Sequence, residues 1–567
     1  MWDARHVVVT VMFAGAPAAP DPASIYSGPQ VIAIATDGST FSNGDHWKCI
    51  TCGVSAENSK GAARVRTPAI GRGAVSAPPG DWLLLDHPQP MHDGRRMIAG
   101  TNVVDCGRHR FTDRTCTPDQ IHIYPIYWQK TVDGSGPGGS MRELRLHPDD
   151  VHLGWNAFVG GAHLDQFGYL GRLIFDPSPS TGTPLLPRYE LEHVTALVSP
   201  APEYGFFMED PHKPGRLLHN KPRGAIGEFR GWTDDGGSAL GNYWVESGNV
   251  DLFRTSLATG ESIRMTRDPS YTDPVRTSPD DKWFVYLSAR QSDRHLYYAG
   301  LQGIPPLIDM VTASVEYCCY NNGNRRFFQP YLVDRFGERG SYYGQQLNAA
   351  STAPGGPGDP DWNARADPTW SPDGTNIVYW QALVTAPACG GANPLACPES
   401  TEPGGRRTRL MIARLTGRKP LALRPAMAPI SDAVPWGTAY KPGDPAPLRP
   451  RPVPAGRYIL DGRAFGSADV EIGAQGSIAV RYTHFSDDGA HVIDGTESAE
   501  RIPGGSFVWH SNLSASGAQT GTKITSEPGG FTPAAAGLIP GQRGGPASGV
   551  LTTTIDGRSY SPPAPGT

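Results

Sequence analysis

Long apolar runs are missing from this chain of 567 residues. No stretch approaches the ~18–20 apolar residues that a membrane-crossing helix requires, which excludes a helical span. Bias toward one charge is missing too: 50 Lys and Arg stand against 55 Asp and Glu, for a net charge of −5. That balance argues against a dedicated nucleic-acid binder, which would carry a basic excess. Catalytic signatures are equally scarce. No G-x-S-x-G elbow occurs, which disfavours a peptidase or esterase built on one. HExxH and Walker motifs are absent as well.

Glycine and proline are what the chain has in excess. With 69 Gly and 55 Pro, the two make up about a fifth of the residues, against a usual ~12%. Aromatics at 9% and apolar residues at 38% rule out low-complexity disorder. Many short strands joined by many turns fit these numbers. The length allows roughly three or four average domains or one large repeat fold.

Eight cysteines fall into close pairs: Cys49/Cys52, Cys106/Cys116, Cys318/Cys319 and Cys389/Cys397. An even count in such a chain points to local disulfides and an oxidising compartment, hence secretion. Cys49-Ile50-Thr51-Cys52 also has the form of half a zinc site or a redox pair, but no second CxxC or spaced Cys/His partner follows it. Cys318-Cys319 reads either as a vicinal disulfide or as two cysteines with distant partners. The apolar stretch from Val7, with small residues after it, has the form of a secretory signal. Asp3 ahead of it argues instead for a first strand over Val7–Ala14 in a mature chain. Asn512-Leu513-Ser514 is a glycosylation acceptor compatible with secretion.

The most specific signal is a repeat. Trp370-Ser371-Pro372-Asp373-Gly374 leads into Asn376-Ile377-Val378-Tyr379-Trp380, a tight turn followed by a β-rich strand. Thr277-Ser278-Pro279-Asp280-Asp281, then Trp283-Phe284-Val285-Tyr286, repeats it. Weaker copies begin at Met91, His147, Trp232 and Phe485. These residues resemble the WD40-like repeats of TolB-type β-propellers, in which such a turn joins the two innermost strands of each blade. The resemblance implies an all-β propeller. Six turns plus an N-terminal strand without one give seven blades, with six or eight as neighbouring counts and a β-sandwich as the alternative fold. Blades stack around a central channel because none can bury both faces alone. Long inter-blade insertions are expected at about 316–348 and 386–406. The tail over 455–567 either closes the ring or includes a small appended β-module.

Propeller sites lie at the channel mouth, fed by residues just ahead of each inner turn. Aligned on the turn Asp, His87 takes the place of Asp367, while Glu143 and Arg145, Glu228 and Arg230, and Asp273 and Arg276 precede successive turns. The stretch 316–348 supplies a second candidate. It sets Arg325, Arg326, Arg335 and Arg339 among Tyr331, Tyr342, Tyr343 and other tyrosines. Guanidinium groups bind carboxylates and flat rings support sugar faces, so this stretch reads as a pocket wall for an acidic sugar or as a solvent-facing loop. The scattered histidines His109, His122, His152, His163, His212 and His219 read as structural, with a channel metal built from some of them as the alternative.

The architecture is also similar to that of secreted lyases that remove terminal rhamnose from glucuronic acid in arabinogalactan. That resemblance implies β-elimination on an acidic plant-type polysaccharide by a monomer. Arginine, or a divalent metal such as calcium in the channel, would neutralise the uronate carboxylate. His87 would then be the base or acid, Arg145, Arg230 and Arg326 carboxylate clamps, and Tyr343 a proton donor or stacking ring. Two alternatives stand beside it. One is a glycoside hydrolase using Glu143 and Glu228, which needs its carboxylates about 5–10 Å apart. The other is a propeller that binds glycans or proteins without catalysis.

Overall fold

The computed structural model describes residues 1–14, 27–66, 69–70, 75–76, 79–158, 166–308, 328–384, 398–501, 507–533 and 548–562. Regular structure there is almost entirely strand, with one four-residue α-helix, Leu296–Ala299. Six inner strands organise it: β1 (His6–Ala14), β2 (Gln89–Pro90), β3 (Arg142–Leu146), β4 (Glu228–Trp232), β5 (Thr272–Thr277) and β6 (Trp362–Trp370). Each starts an antiparallel meander running outward through two or three further strands. The second and third meanders join through a short parallel pairing of their outermost strands, Ile126 opposite Tyr189. Residues on or just ahead of all six inner strands line one cavity of about 1070 Å³. Sheets arrayed about a shared channel are the β-propeller architecture.

Local chemistry sets the strand ends. In Ser371-Pro372-Asp373-Gly374 the Ser371 hydroxyl donates to Asp373 Oδ1 at 2.5 Å, and Gly374 takes the left-handed φ of +70° that the turn needs. Ser278 donates to Asp280 at 2.6 Å and Thr233 to Asp235 at 2.7 Å in the same way. In the third sheet His147 stands in the serine position, its Nδ1 lying 3.1 Å from Asp149. Between sheets, apolar faces interlock: Leu170 with Phe229 and Trp232, and Val285 with Trp370 and Ile377. Burying each such side chain contributes about 1.5–3 kcal/mol. Gly154 is required at one of these contacts, because a Cβ there would sit 2.4 Å from the Phe229 ring.

Six such sheets are present among the described residues, where the turn count led us to expect seven. The difference lies in the copy at Phe485: its turn joins Ile478–Ser486 to His491–Arg501 in a separate sheet. That sheet is a long antiparallel meander from Gly456 to Tyr560, extended at its first edge by the hairpin Phe207–Glu209/Arg216–His219. It packs on the propeller through Tyr297, Tyr298, Trp509 and Phe531. Before reaching it, the chain lays a strap across the turn side of the channel. Arg418 pairs with Asp280, and Leu421 N–H donates to the Asp373 carbonyl. Met427 N–H then reaches the Pro148 carbonyl, and Asp432 pairs with His152 and Arg172.

Two further expectations meet the structure here. Cys49–Cys52 and Cys106–Cys116 are disulfides, which removes the zinc reading of the first pair; Cys318, Cys319, Cys389 and Cys397 lie outside the described residues. The described part of 316–348 is not an insertion at the channel mouth. Gln329–Asp334 and Gln345–Gln346 are the two outer strands of the fifth sheet.

Candidate functional site

The channel gathers charge at one level, and a backbone irregularity recurs there. Register shifts interrupt the pairing of β3 between Arg142 and Arg145, of β4 between Phe229 and Gly231, of β5 between Thr272 and Val275, and of β6 between Arg365 and Thr369. Such breaks re-aim side chains. Each here carries a charged residue: Glu143, Arg230, Asp273 and Asp367. His87, just ahead of β2, joins them. His87 and Glu143 both hold the left-handed backbone, with φ of 52° and 53°, a conformation that costs a non-glycine residue about 1–2 kcal/mol.

The geometry is a chain of ion pairs crossing four sheet boundaries. Arg142 bridges Glu143 at 2.7 Å and Glu228 at 2.6 Å. Arg230, nearly fully buried, reaches Asp273 at 2.6 Å and Glu143 at 2.7 Å. Arg145, equally buried, reaches Asp367 at 2.8 Å and donates through Nε to the Arg230 carbonyl at 2.8 Å. His87 Nε2 also lies 3.0 Å from Asp367, and the His87 side chain is 31% exposed beside the cavity. Burial pushes the Asp367 carboxyl up, but Arg145 and His87 outweigh it and hold the group well below the usual carboxylate range. Glu228 behaves alike: burial raises it, and Arg142 and Arg230 more than reverse that.

Arg276 is the exception. Among the described residues no carboxylate lies within ion-pair distance of it, and its Nη2 makes a long hydrogen bond to Gln89 Oε1 at 3.4 Å. Burial, then the neighbouring Arg145, pushes its guanidinium down to about 10. It lines the cavity beside His87, Arg145 and Asp367. A cation without a paired carboxylate in such a place is a seat for an anion.

Of the residues expected at the site, His87, Glu143, Arg145 and Arg230 line the cavity, and Glu228 adjoins them through Arg142 and Arg230. Tyr331, Arg335, Tyr342 and Tyr343, from the outer part of the fifth sheet, do not line it. Tyr343 packs 5.2 Å from the Arg290 guanidinium, Tyr331 is buried against Tyr286, Tyr342 accepts from Asp334 N–H, and Arg335 lies over Phe336. The reason is position in the sheet: these residues lie on the outer strand Gln329–Asp334 or in the connection to Gln345–Gln346, away from the inner strand that faces the channel. Arg325 and Arg326 lie outside the described residues. Asp273, Arg276 and Asp367 were visible in the turn alignment, and Pro88, Pro274 and Pro368 follow His87, Asp273 and Asp367 as a signal of the strand breaks.

The donor chemistry at this charged level of the channel does not suit calcium. Glu143, Glu228, Asp273 and Asp367 are all engaged by arginine. The other cluster with metal-ligand composition, His147, Asp149 and His152, is fully buried and its atoms are taken. His147 Nε2 meets the Gly236 carbonyl at 3.1 Å, while His152 bridges Asp149 at 2.6 Å and Asp432 at 2.8 Å. We derive no step through a metal.

No family model matches the chain, and no curated protein matches it. Among solved structures, a TolB of Agrobacterium tumefaciens is similar at 14% identity and a TM-score of 0.30, over 60% of this chain and 80% of that one. TolB of Acinetobacter baumannii is similar at 12% identity and a TM-score of 0.26, over 86% and 78%. The tricorn protease is similar at 9% identity and a TM-score of 0.24, over 86% of this chain and 38% of its own.

Proposed function

We propose that the channel binds the carboxylate of an acidic sugar and removes a proton beside it, as a secreted polysaccharide lyase acting at glucuronic acid and releasing terminal rhamnose from an arabinogalactan-type glycan. The observation that carries this reading is the unpaired Arg276 next to the His87–Asp367 pair. A uronate carboxylate seated on Arg276 loses its negative charge to the guanidinium, which acidifies the adjacent C5–H. Asp367 holds the proton on His87 Nε2, leaving Nδ1 as the base. As Nδ1 takes the C5 proton, the C5–H electron pair forms the C4–C5 double bond and the C4–O bond breaks. The imidazolium, stabilised by Asp367, returns the proton to the departing oxygen.

The hydrolase alternative is less well supported. It needs one carboxyl to stay protonated as general acid, yet Glu143 and Glu228 share Arg142, and the Glu228 carboxyl is held ionised. The two disulfides support secretion.

The test is incubation with rhamnose-terminated arabinogalactan, following ultraviolet absorbance of the unsaturated uronate together with free rhamnose. Both should rise with wild type. His87→Ala should lower the rate at least 100-fold, and Arg276→Gln should lower it chiefly through KM. Rhamnose without absorbance would move the reading to hydrolysis. Neither product from any acidic glycan would leave a binding propeller in its place.

A further inference from the structure

The cavity does not end at the charged centre. It continues between the first and sixth sheets, which face each other without the interlocked apolar contact that joins the fourth sheet to the third or the sixth to the fifth. One wall is β1, where Val8 packs into the core shared with the second sheet, so Val7, Val9 and Val11 alternate to the opposite face. The other wall belongs to the sixth sheet. Trp380 pairs with Leu410 there, and Val378 with Ile412, placing all four on one face. Val9, Val11, Trp380 and Leu410 line the cavity, and Leu410 keeps 38% exposure. The wall from Val7 to Met12 is about 17 Å long at strand rise.

An apolar cleft continuous with an unpaired guanidinium fits one kind of occupant. We infer that the cleft holds the apolar part of an amphiphilic carboxylate whose charged end sits on Arg276. This rests on the anion seat of the preceding reading but not on its elimination chemistry. The charge distribution supports it: among the described residues of the lining, Arg276 is a buried guanidinium without a carboxylate partner, whereas Arg406 and Arg407 are exposed and Arg409 pairs with Glu402.

The test is titration calorimetry of the full chain with four probes: acetate, decanoate, glucuronate and octyl glucuronide. Decanoate is expected to bind at least 30-fold more tightly than acetate, with a change in tryptophan fluorescence from Trp380. Leu410→Ser should weaken decanoate at least fivefold and leave acetate unchanged. Ile412→Ser, a change on the same exposed face but outside the cavity lining, should leave both unchanged and controls for folding. Arg276→Gln should weaken decanoate and acetate alike. Equal binding of decanoate and acetate, or equal effects of Leu410→Ser and Ile412→Ser, would overturn the inference. Decanoate binding with no binding of either glucuronate probe would leave the cleft standing and remove the uronate reading. Glucuronate binding unaffected by the octyl group would do the reverse.

Discussion

Asp367 shows how much one side chain can hold in a buried channel. It pairs with Arg145 at 2.8 Å and with His87 at 3.0 Å, from two other sheets, and its side chain is only 4% exposed. Removing one partner of a buried pair leaves an uncompensated charge, which costs about 3–5 kcal/mol. Asp367→Asn should therefore lower unfolding free energy by about that much in urea at pH 7. A loss below 1 kcal/mol would mean that water already compensates Arg145. The pH dependence has a definite sign. The Asp367 and Glu228 carboxyls are held below their ordinary values, so the stability they supply is present above pH ~4 and is lost as pH falls below it. At this scale the site was largely readable. Aligning the turns brought out His87, Glu143, Arg145, Glu228 and Arg230, because position relative to a turn fixes which side chains reach the axis. It gave Arg276 no role, since a missing partner is a fact of space. Tyr343 and its neighbours were misplaced because composition alone does not tell an outer strand from a loop at the mouth.

Among the elements, the Ser-x-Asp turns were the best legible, their hydroxyl-to-carboxylate bond being contained within three residues. The strap from Arg418 to Asp432 was not foreseen, because its partners lie some 50–280 residues earlier. Its anchor is also a titrating one. Burial lowers the His152 imidazole, but Asp149 and Asp432 outweigh it and raise it above its ordinary value. The anchorage is thus complete below pH ~6.5 and weakens as pH rises through the elevated value. Asp432→Asn should increase amide exchange over 427–440 at pH 6 while leaving the fourth sheet's exchange unchanged. Exchange in the strap that is the same in both proteins would show that Arg418 and the backbone contacts hold it alone.

For the whole molecule, the propeller class was legible and the count was not, since the Phe485 turn obeys the same local rules in a different sheet. Ring closure is also a long-range property. β1 pairs within its own sheet, and a hydrogen bond from Arg414 to the Thr36 carbonyl links the sixth sheet to the first. The ring should open first at this seam. Native-state hydrogen exchange is expected to give the first sheet a lower opening free energy than the fourth, by about 2 kcal/mol or more. Reducing Cys49–Cys52 and Cys106–Cys116, which tie loops of the first two sheets, should widen that gap. Equal protection around the ring would place closure elsewhere.

The strand breaks at Glu143, Arg230, Asp273 and Asp367 also bear on how such a channel changes over generations. Each sheet contributes its charged residue at an interruption in pairing, outside the packed faces, so each position can be replaced without repacking a core. Yet the residues neutralise one another across sheet boundaries, so a lone replacement strands a buried charge. Divergence of this channel is therefore expected to proceed by paired replacements in neighbouring sheets, while Arg276, which has no carboxylate partner to match, is free to vary alone and with it the choice of ligand.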